Sequence, residues 1–145
     1  MVENRQFVPA AGPWAPIVGY SRAVRTGNIV HVAGTAAVAA DGAVAHPGDP
    51  YGQAQRCLEL IVNALAEVGA RPEHVVRTRI YVTDAAHWEA VGRAHGAVFA
   101  LVRPAATLVV VAGLIDPAML VEIEADAIID GDTEVIVSYS GFRGG

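Results

Sequence analysis

Three carboxylates occupy alternate positions in one short apolar stretch, and their spacing points most directly to chemistry. Glu122, Glu124 and Asp126 are separated by single apolar residues. Because the side chains of a β-strand point alternately to its two faces, this spacing predicts a strand that carries all three acids on one face. Stacked carboxylates are costly unless cations or solvent meet them. The residues that meet this face are therefore expected to govern function.

Arginines with the same two-residue spacing supply candidate partners for these acids. Arg77 and Arg79 lie on one face of another predicted strand. If the two strands are neighbours, the acids and the arginines form two facing rows, here called the charged ladders, which pair across the sheet. We expect such ion pairs at Glu124 and Asp126. Glu122 has two interpretations: a third member of the ladder, or a base that positions water for a reaction.

The totals exclude several classes of function. The chain has 145 residues and a net charge of −5 without a basic run, which argues against a nucleic-acid partner. All ten cations are arginine, so lysine Schiff-base chemistry is excluded. The single cysteine, Cys57, is predicted to be a small buried hydrophobe, and the five histidines do not cluster. We expect no metal, no cofactor and no membrane partner, and a cytoplasmic location.

The elements follow from local patterns along the chain. A Gly27-Asn28 pair between two short apolar runs predicts a β-hairpin. Asp49-Pro50 is typical of a helix start, and Gly69 is typical of the residue after a helix end. The predicted elements are strands at 20–26 and 29–33, a loop at 35–48, a helix from 50 to 68, a strand at 75–83, a helix at 86–101, and strands at 106–111 and 120–129.

This order, β-β-α-β-α-β-β, predicts one α+β domain over residues 1–145. It comprises a mostly antiparallel sheet with two helices on one face. The charged ladders lie on the other face, which other subunits are expected to cover. Residues 1–18 are expected to form an irregular arm, with Trp14 as an anchor. Residues 131–145 form a C-terminal extension whose alternating piece, Glu134 to Tyr139, is either an extra edge strand or an arm onto a neighbouring subunit.

Three stretches in this order resemble the RidA/YjgF family of reactive intermediate deaminases, formerly labelled translation-inhibitor or L-PSP endoribonuclease proteins. They are GYSRAVRTGNIVHVAGT (19–35), RIYVTDAAHWEAVGRAH (79–95) and RPAATLVVVAGLIDPAMLVEIEADAII (103–129). The resemblance implies a chorismate-mutase-like fold and a homotrimer with ligand clefts between subunits. It also implies hydrolysis of enamines and imines derived from amino acids, without a cofactor.

The resemblance carries over residue by residue. It places the water-positioning glutamate at Glu122, and the first-strand tyrosine at Tyr20. The end of the second strand, Ala33-Gly34, corresponds to the family's Ser-Gly. Gly92 stands where many members have an asparagine on the second helix.

The family's Pro-Ala-Arg-Ser-Cys stretch is represented here by Pro104-Ala105-Ala106-Thr107-Leu108. Ala106 therefore replaces the carboxylate-binding arginine, and Leu108 replaces a cysteine of the pocket. Arg22 shares a strand face with Tyr20 and is a candidate replacement cation, with a solvated or interface arginine as the alternative.

Two functions follow as expectations. The first is a hydrolase acting on C=N bonds with altered substrate choice, because Ala106, Leu108, Val110 and Leu120 would make the pocket more apolar than is usual for the family. The second is a non-catalytic homotrimer that binds a small molecule. A ribonuclease or translation inhibitor is suggested only by the older family labels, and the acidic charge argues against it.

Overall fold

The structure, a computed structural model, describes residues 4–130. Six strands form one mixed sheet in the order β1-β2-β3-β6-β4-β5. The elements are β1 (Arg5–Pro9), α1 (Ala15–Val18), β2 (Ser21–Thr26), β3 (Ile29–Ala36), α2 (Pro50–Glu67), β4 (Val75–Val82), α3 (Trp88–Phe99), β5 (Ala105–Val110) and β6 (Val121–Ile128).

The predicted hairpin is confirmed, and β3 contains an irregularity. β2 and β3 pair in antiparallel fashion around Gly27, whose φ of 59° is the left-handed conformation that this turn requires. Farther along, the register of β3 against β6 shifts between Val32 and Thr35. Ala33 and Gly34 lie in this bulge, so their backbone departs from the regular ladder.

α2 begins and ends where the sequence predicts. The Asp49 carboxylate caps the helix by accepting a hydrogen bond from the Gly52 amide at 3.0 Å. At the other end Gly69 has a φ of 82°, and Arg25 of β2 donates to the Val68 carbonyl at 2.6 Å. The helix is therefore fixed to the sheet at its last turn.

The strand β6 lies in the middle of the sheet, between β3 and β4 and antiparallel to both. β4 and β5 are parallel and are connected through α3, so the sheet is antiparallel except for this pair. α2 and α3 cover one face, here called the helix face, which buries Val121, Ile123, Ala125 and Ala127 of β6. The opposite, open face carries the three acids of β6. The predicted two-layer α+β architecture is confirmed.

Two expectations about the chain were wrong. The arm predicted over residues 1–18 contains β1, which pairs with β2, and the short helix α1. Only Val8 of β1 is buried, so the strand depends on the free edge of β2 rather than on a local apolar pattern. The spacing of Trp88 with Val91 and His95 predicts an inner position on the second helix, yet Trp88 is 60% exposed because α3 begins at that residue, after a 3₁₀ turn over Ala85–His87.

A register shift accounts for a third difference. The alternation of Val76 with Thr78 and Ile80 predicts a core-facing side chain. The register of β4 against β6 shifts between Val75 and Arg77, however, so Val75 is buried and Val76 is exposed. The C-terminal extension, residues 131–145, lies outside the described residues.

A buried glutamine connects α2 to the start of β6. Gln53 is fully buried, and its amide nitrogen donates to the carbonyls of Ala118 at 2.9 Å and His46 at 3.3 Å. Its side-chain oxygen accepts from the Leu120 amide at 2.8 Å. These bonds hold the backbone two residues before Glu122.

We expect Gln53→Met to reduce the free energy of unfolding by about 1–3 kcal/mol, because it removes the hydrogen-bond partner of the Leu120 amide and of the Ala118 carbonyl. Chemical denaturation measures the change. Gln55→Met, an exposed position on the same helix, is the matched control and should change stability by less than about 0.5 kcal/mol. Equal losses in the two variants would contradict the proposed role of the Gln53 amide.

Candidate functional site

One arginine satisfies two of the three acids on the open face. Arg79 of β4 lies 3.0 Å from the Asp126 carboxylate and 3.5 Å from that of Glu124. His31 of β3 lies 2.7 Å from Asp126, and the Tyr81 hydroxyl donates to Glu124 at 3.0 Å. The predicted cross-strand ion pairs are therefore confirmed at Glu124 and Asp126, through Arg79.

Asp126 is held in its charged form by this network. Burial alone would raise the pKa of Asp126, but the hydrogen bonds from His31 and Arg79 outweigh burial and lower the pKa below its ordinary value. This carboxylate is a structural partner of the ladder, which leaves Glu122 as the acid available for chemistry.

Glu122 lies against the bulge of β3. A Cβ atom added to Gly34 would come within 3.0 Å of both Cδ and Oε2 of Glu122, so glycine is what allows this carboxyl to approach the β3 backbone. Among residues 4–130, no hydrogen bond or ion pair to the Glu122 carboxyl is found. The group is half-buried and free to meet a water or a ligand.

Arg22 shares this corner of the sheet. Its Nη1 donates to the Gly34 carbonyl at 3.0 Å and to the Thr35 hydroxyl at 2.6 Å, which fixes the guanidinium beside the bulge. The Tyr20 ring lies 5.7 Å from its Cζ. The structure therefore brings four predicted site residues together with Glu122: Tyr20, Arg22, Ala33 and Gly34.

Burial and charge set the protonation of Glu122 in opposite directions. Burial raises the pKa of Glu122, the Arg22 guanidinium opposes that rise, and the Glu124 carboxylate adds to it, so the net pKa lies above the ordinary value. A carboxyl of this kind accepts and returns a proton more readily near neutral pH than an unperturbed one. Beneath it, burial raises the pKa of the Cys57 thiol to about 12, with Glu122 contributing, so Cys57 is an inert buried residue.

The other predicted site residues lie elsewhere in the same chain. Ala106, Thr107 and Leu108 belong to β5, which is separated from β2 by four strand-to-strand steps, roughly 19 Å. Leu108 packs partly against the core, whereas Ala106 and Thr107 are exposed. Gly92 is exposed on α3, with no atom within 4 Å of an added Cβ. One chain therefore presents two separate groups of candidate residues.

Sequence reasoning missed three contributors to this region. Gln53 lies four residues before Cys57 on the apolar stripe of α2, and that helical spacing is the signal that could have found it. Thr35 gave no signal, because its partnership with Arg22 depends on the bulge. A lone histidine within a predicted strand is more often packed than exposed, yet the His31 side chain is 62% exposed and bonded to Asp126.

Residues 4–130 contain neither a candidate metal-binding group nor a helix that could span a membrane. No group of three or more His, Cys, Asp and Glu side chains in this range could hold a metal ion. None of the described helices is long and apolar enough to cross a membrane.

Comparison with known proteins identifies the family. The family model described as Endoribonuclease L-PSP matches residues 11–129. The chain belongs to the RidA/YjgF family. A solved member of the YjgF/YER057c/UK114 family, Rv2704 of Mycobacterium tuberculosis, is 44% identical with a TM-score of 0.78, covering 87% of this chain and 100% of that one.

Two further proteins are similar to this chain over most of its length. SCO2049 of Streptomyces coelicolor is 42% identical over 120 residues, which are 83% of this chain and 89% of that protein. The 3-aminoacrylate deaminase RutC of Acinetobacter baylyi is 30% identical over 123 residues, covering 85% of this chain and 97% of RutC. The family assignment made from the three sequence stretches is thus confirmed.

We expect NMR titration of the side-chain carboxyls to give Glu122 a pKa above the ordinary glutamate value. Arg22→Met should raise the Glu122 pKa further, because it removes the cation that opposes the effect of burial. Arg93→Met, at an exposed position on α3, is the control and should leave the Glu122 titration unchanged. A Glu122 pKa that falls in Arg22→Met would contradict this electrostatic account.

We expect Asp126→Asn to be less stable than the wild type at pH 5, with the difference shrinking as the pH falls below about 4. The folded pKa of Asp126 is depressed, so its stabilisation is complete above the unfolded pKa, near 3.8, and is lost as the pH drops through the folded value. Unfolding free energies at several pH values measure this effect. Glu67→Gln, an exposed carboxyl on α2, should show no such convergence, and a difference that widens in acid would refute the prediction.

Proposed function

We propose that the protein is a hydrolytic deaminase of small enamine or imine metabolites. The proposal rests mainly on the arrangement of Glu122, Gly34 and Arg22 at one corner of the sheet. There, a half-buried carboxyl with a raised pKa lies against the bulged backbone of β3 and beside a fixed cation. The relative RutC is named for deamination of 3-aminoacrylate, which is an enamine. No metal or organic cofactor takes part in the proposed reaction.

The proposed chemistry requires one group that accepts and returns protons. An enamine first becomes an imine as a proton adds to its carbon and another leaves its nitrogen. Glu122 then takes a proton from a water molecule as the water oxygen adds to the C=N carbon, and the nitrogen gains that proton. The resulting carbinolamine loses ammonia as its hydroxyl proton passes to nitrogen, leaving a carbonyl. The raised pKa of Glu122 suits both directions of transfer.

We propose that the active form is a homotrimer whose clefts combine the two groups of candidate residues. The roughly 19 Å between β2 and β5 is too long for one small metabolite to bridge within a chain. A cleft in which Tyr20, Arg22, Gly34 and Glu122 of one subunit face Gly92, Ala106, Thr107 and Leu108 of the next would unite them. The free, buried Cys57 fits a reducing compartment, and we place the protein in the cytoplasm.

The substrate preference of this protein is expected to differ from that of the family, because Ala106 stands where the resemblance implies an arginine. An alanine offers no bidentate recognition of a carboxylate, and Leu108 adds an apolar surface nearby. The same substitutions favour a second candidate, a homotrimer that binds a small molecule and has no catalytic activity. The two candidates differ in whether ammonia is released.

We expect the wild type to accelerate ammonia release from at least one member of a panel containing 3-aminoacrylate and imines generated in the assay by an amino-acid or amine oxidase. Glu122→Gln should slow the reaction by about 10²–10⁴-fold, because it removes the group that transfers protons. Glu67→Gln, an exposed helix position, is the control and should match the wild type. No acceleration on any substrate, with ligand binding intact, would favour the non-catalytic candidate.

A further inference from the structure

The open face holds a second arginine that the ladder leaves without a carboxylate. In the register of β4 against β6, Arg77 is opposite Asp126. Asp126, however, is already bonded to His31 at 2.7 Å and to Arg79 at 3.0 Å. Within residues 4–130, no carboxylate lies within ion-pair distance of Arg77. Because Arg79 takes both Glu124 and Asp126, Arg77 is left without a carboxylate partner within residues 4–130.

The donors of Arg77 are correspondingly underused. Its Nε is buried and has no hydrogen-bond partner among the described residues. Its Nη2 lies 3.5 Å from the Thr107 hydroxyl, at the outer limit for a hydrogen bond. A guanidinium has five N–H donors in a planar fork that matches a carboxylate, and a buried donor without a partner is costly. Both properties favour an anion at Arg77.

The position of Arg77 matters because it lies beside Ala106, where the resemblance implies an arginine. β4 pairs with β5 so that Arg77 is opposite Ala105 and its guanidinium reaches Thr107, the residues on either side of Ala106. Ala106 itself alternates to the helix face, opposite Thr78. Arg77 therefore lies on the strand next to position 106, with its side chain on the open face.

Arg77 is too far from Glu122 of its own chain for the two to share a substrate. In the strand register Arg77 is opposite Asp126, and Glu122 is four residues from Asp126 along β6. Glu122 and the backbone opposite Arg77 are therefore roughly 14 Å apart. Arg79, occupied by two carboxylates, lies between them. A carboxylate adjacent to a C=N bond spans much less than this, so the two groups must come from different copies.

We propose that Arg77 binds the substrate carboxylate in a cleft whose Glu122 belongs to a second copy of this chain. This inference rests on the proposed function, and it adds Arg77 as the residue that recognises a carboxylate beside the reacting carbon in place of position 106. Arg77 and the Thr107 hydroxyl contact the carboxylate. Arg22, which is tied to β3 through its Nη1, stays on the side of Glu122 and tunes its charge.

A binding experiment tests the role of Arg77 without requiring turnover. The probes are pyruvate, whose carbonyl replaces the C=N group, and its uncharged methyl ester, each titrated into the full-length protein and followed by NMR. We expect the wild type to bind pyruvate more tightly than the ester, and Arg77→Met to weaken pyruvate binding roughly 10- to 100-fold while leaving ester binding unchanged. Arg77→Lys should restore part of the preference.

Carboxylate binding that does not depend on Arg77 would overturn the assignment. Arg93→Met on α3 is the control for a lost surface arginine and should match the wild type. Unchanged pyruvate preference in a folded Arg77→Met oligomer refutes the proposal. A preference lost in Arg22→Met but kept in Arg77→Met transfers the role to Arg22 and equally refutes it.

Mixed oligomers test whether the cleft joins two copies. Isotope-labelled Arg77→Met chains are co-assembled with equal amounts of unlabelled Glu122→Gln chains, which retain Arg77. If the site is shared, about half of the labelled chains acquire a neighbouring Arg77, and their Gly34 amide signals respond to pyruvate as in the wild type. Signals that stay as in pure Arg77→Met would show that the site is not shared and would overturn the proposal.

Turnover in the same mixture distinguishes this inference from the proposed function. Shared sites predict about one quarter of the wild-type ammonia release, because one site in four pairs an intact Arg77 with an intact Glu122. If the wild type releases no ammonia from any substrate while the pyruvate results are as expected, deamination fails and the Arg77 site stands. If the wild type is active and Arg77→Met keeps its KM for a carboxylate substrate, the Arg77 site fails and deamination stands.

Discussion

The ion pairs of Arg79 with Glu124 and Asp126 are the interaction on which the open face depends. Three carboxylates on one strand face repel one another, and a single guanidinium placed between two of them removes most of that cost. His31 and Tyr81 complete the hydrogen bonds of these two acids. The third acid, Glu122, lies at the end of the ladder beyond the reach of Arg79, and its freedom from the network is what qualifies it for chemistry.

The position of Glu122 is determined from both faces of the sheet. On the helix face, Gln53 holds the backbone that leads into β6, while Val121 and Ile123 are fully buried on either side of the glutamate. On the open face, the β3 bulge and the absence of a side chain at Gly34 provide the space that the carboxyl occupies. Arg22 stabilises that bulge and lies near the carboxyl, so one residue contributes to both the geometry and the charge of the corner.

The family resemblance and the geometry agree on Glu122 and differ over the cation. The resemblance implies a carboxylate-binding arginine at position 106, which is an alanine here. The open face instead offers Arg77 on the adjacent strand. This arginine has a buried donor without a partner, because the acid opposite it is already taken. Ala106 and Arg77 thus lie on the neighbouring strands β5 and β4, with their side chains on opposite faces of the sheet.

The sequence by itself determined the elements, the two faces of each strand and the family. These depend on local patterns: a period of two in β4 and β6, the Gly27-Asn28 turn, the Asp49 cap and three matching stretches. Tertiary structure decided which acid meets which arginine, because that depends on strand order and register between residues nearly fifty positions apart. It added β1, which exists through pairing with the edge of β2, and it buried Val75 in place of Val76 by a register shift. It also separated Arg22 from Ala106 by the width of the sheet, a distance that no spacing within the sequence records.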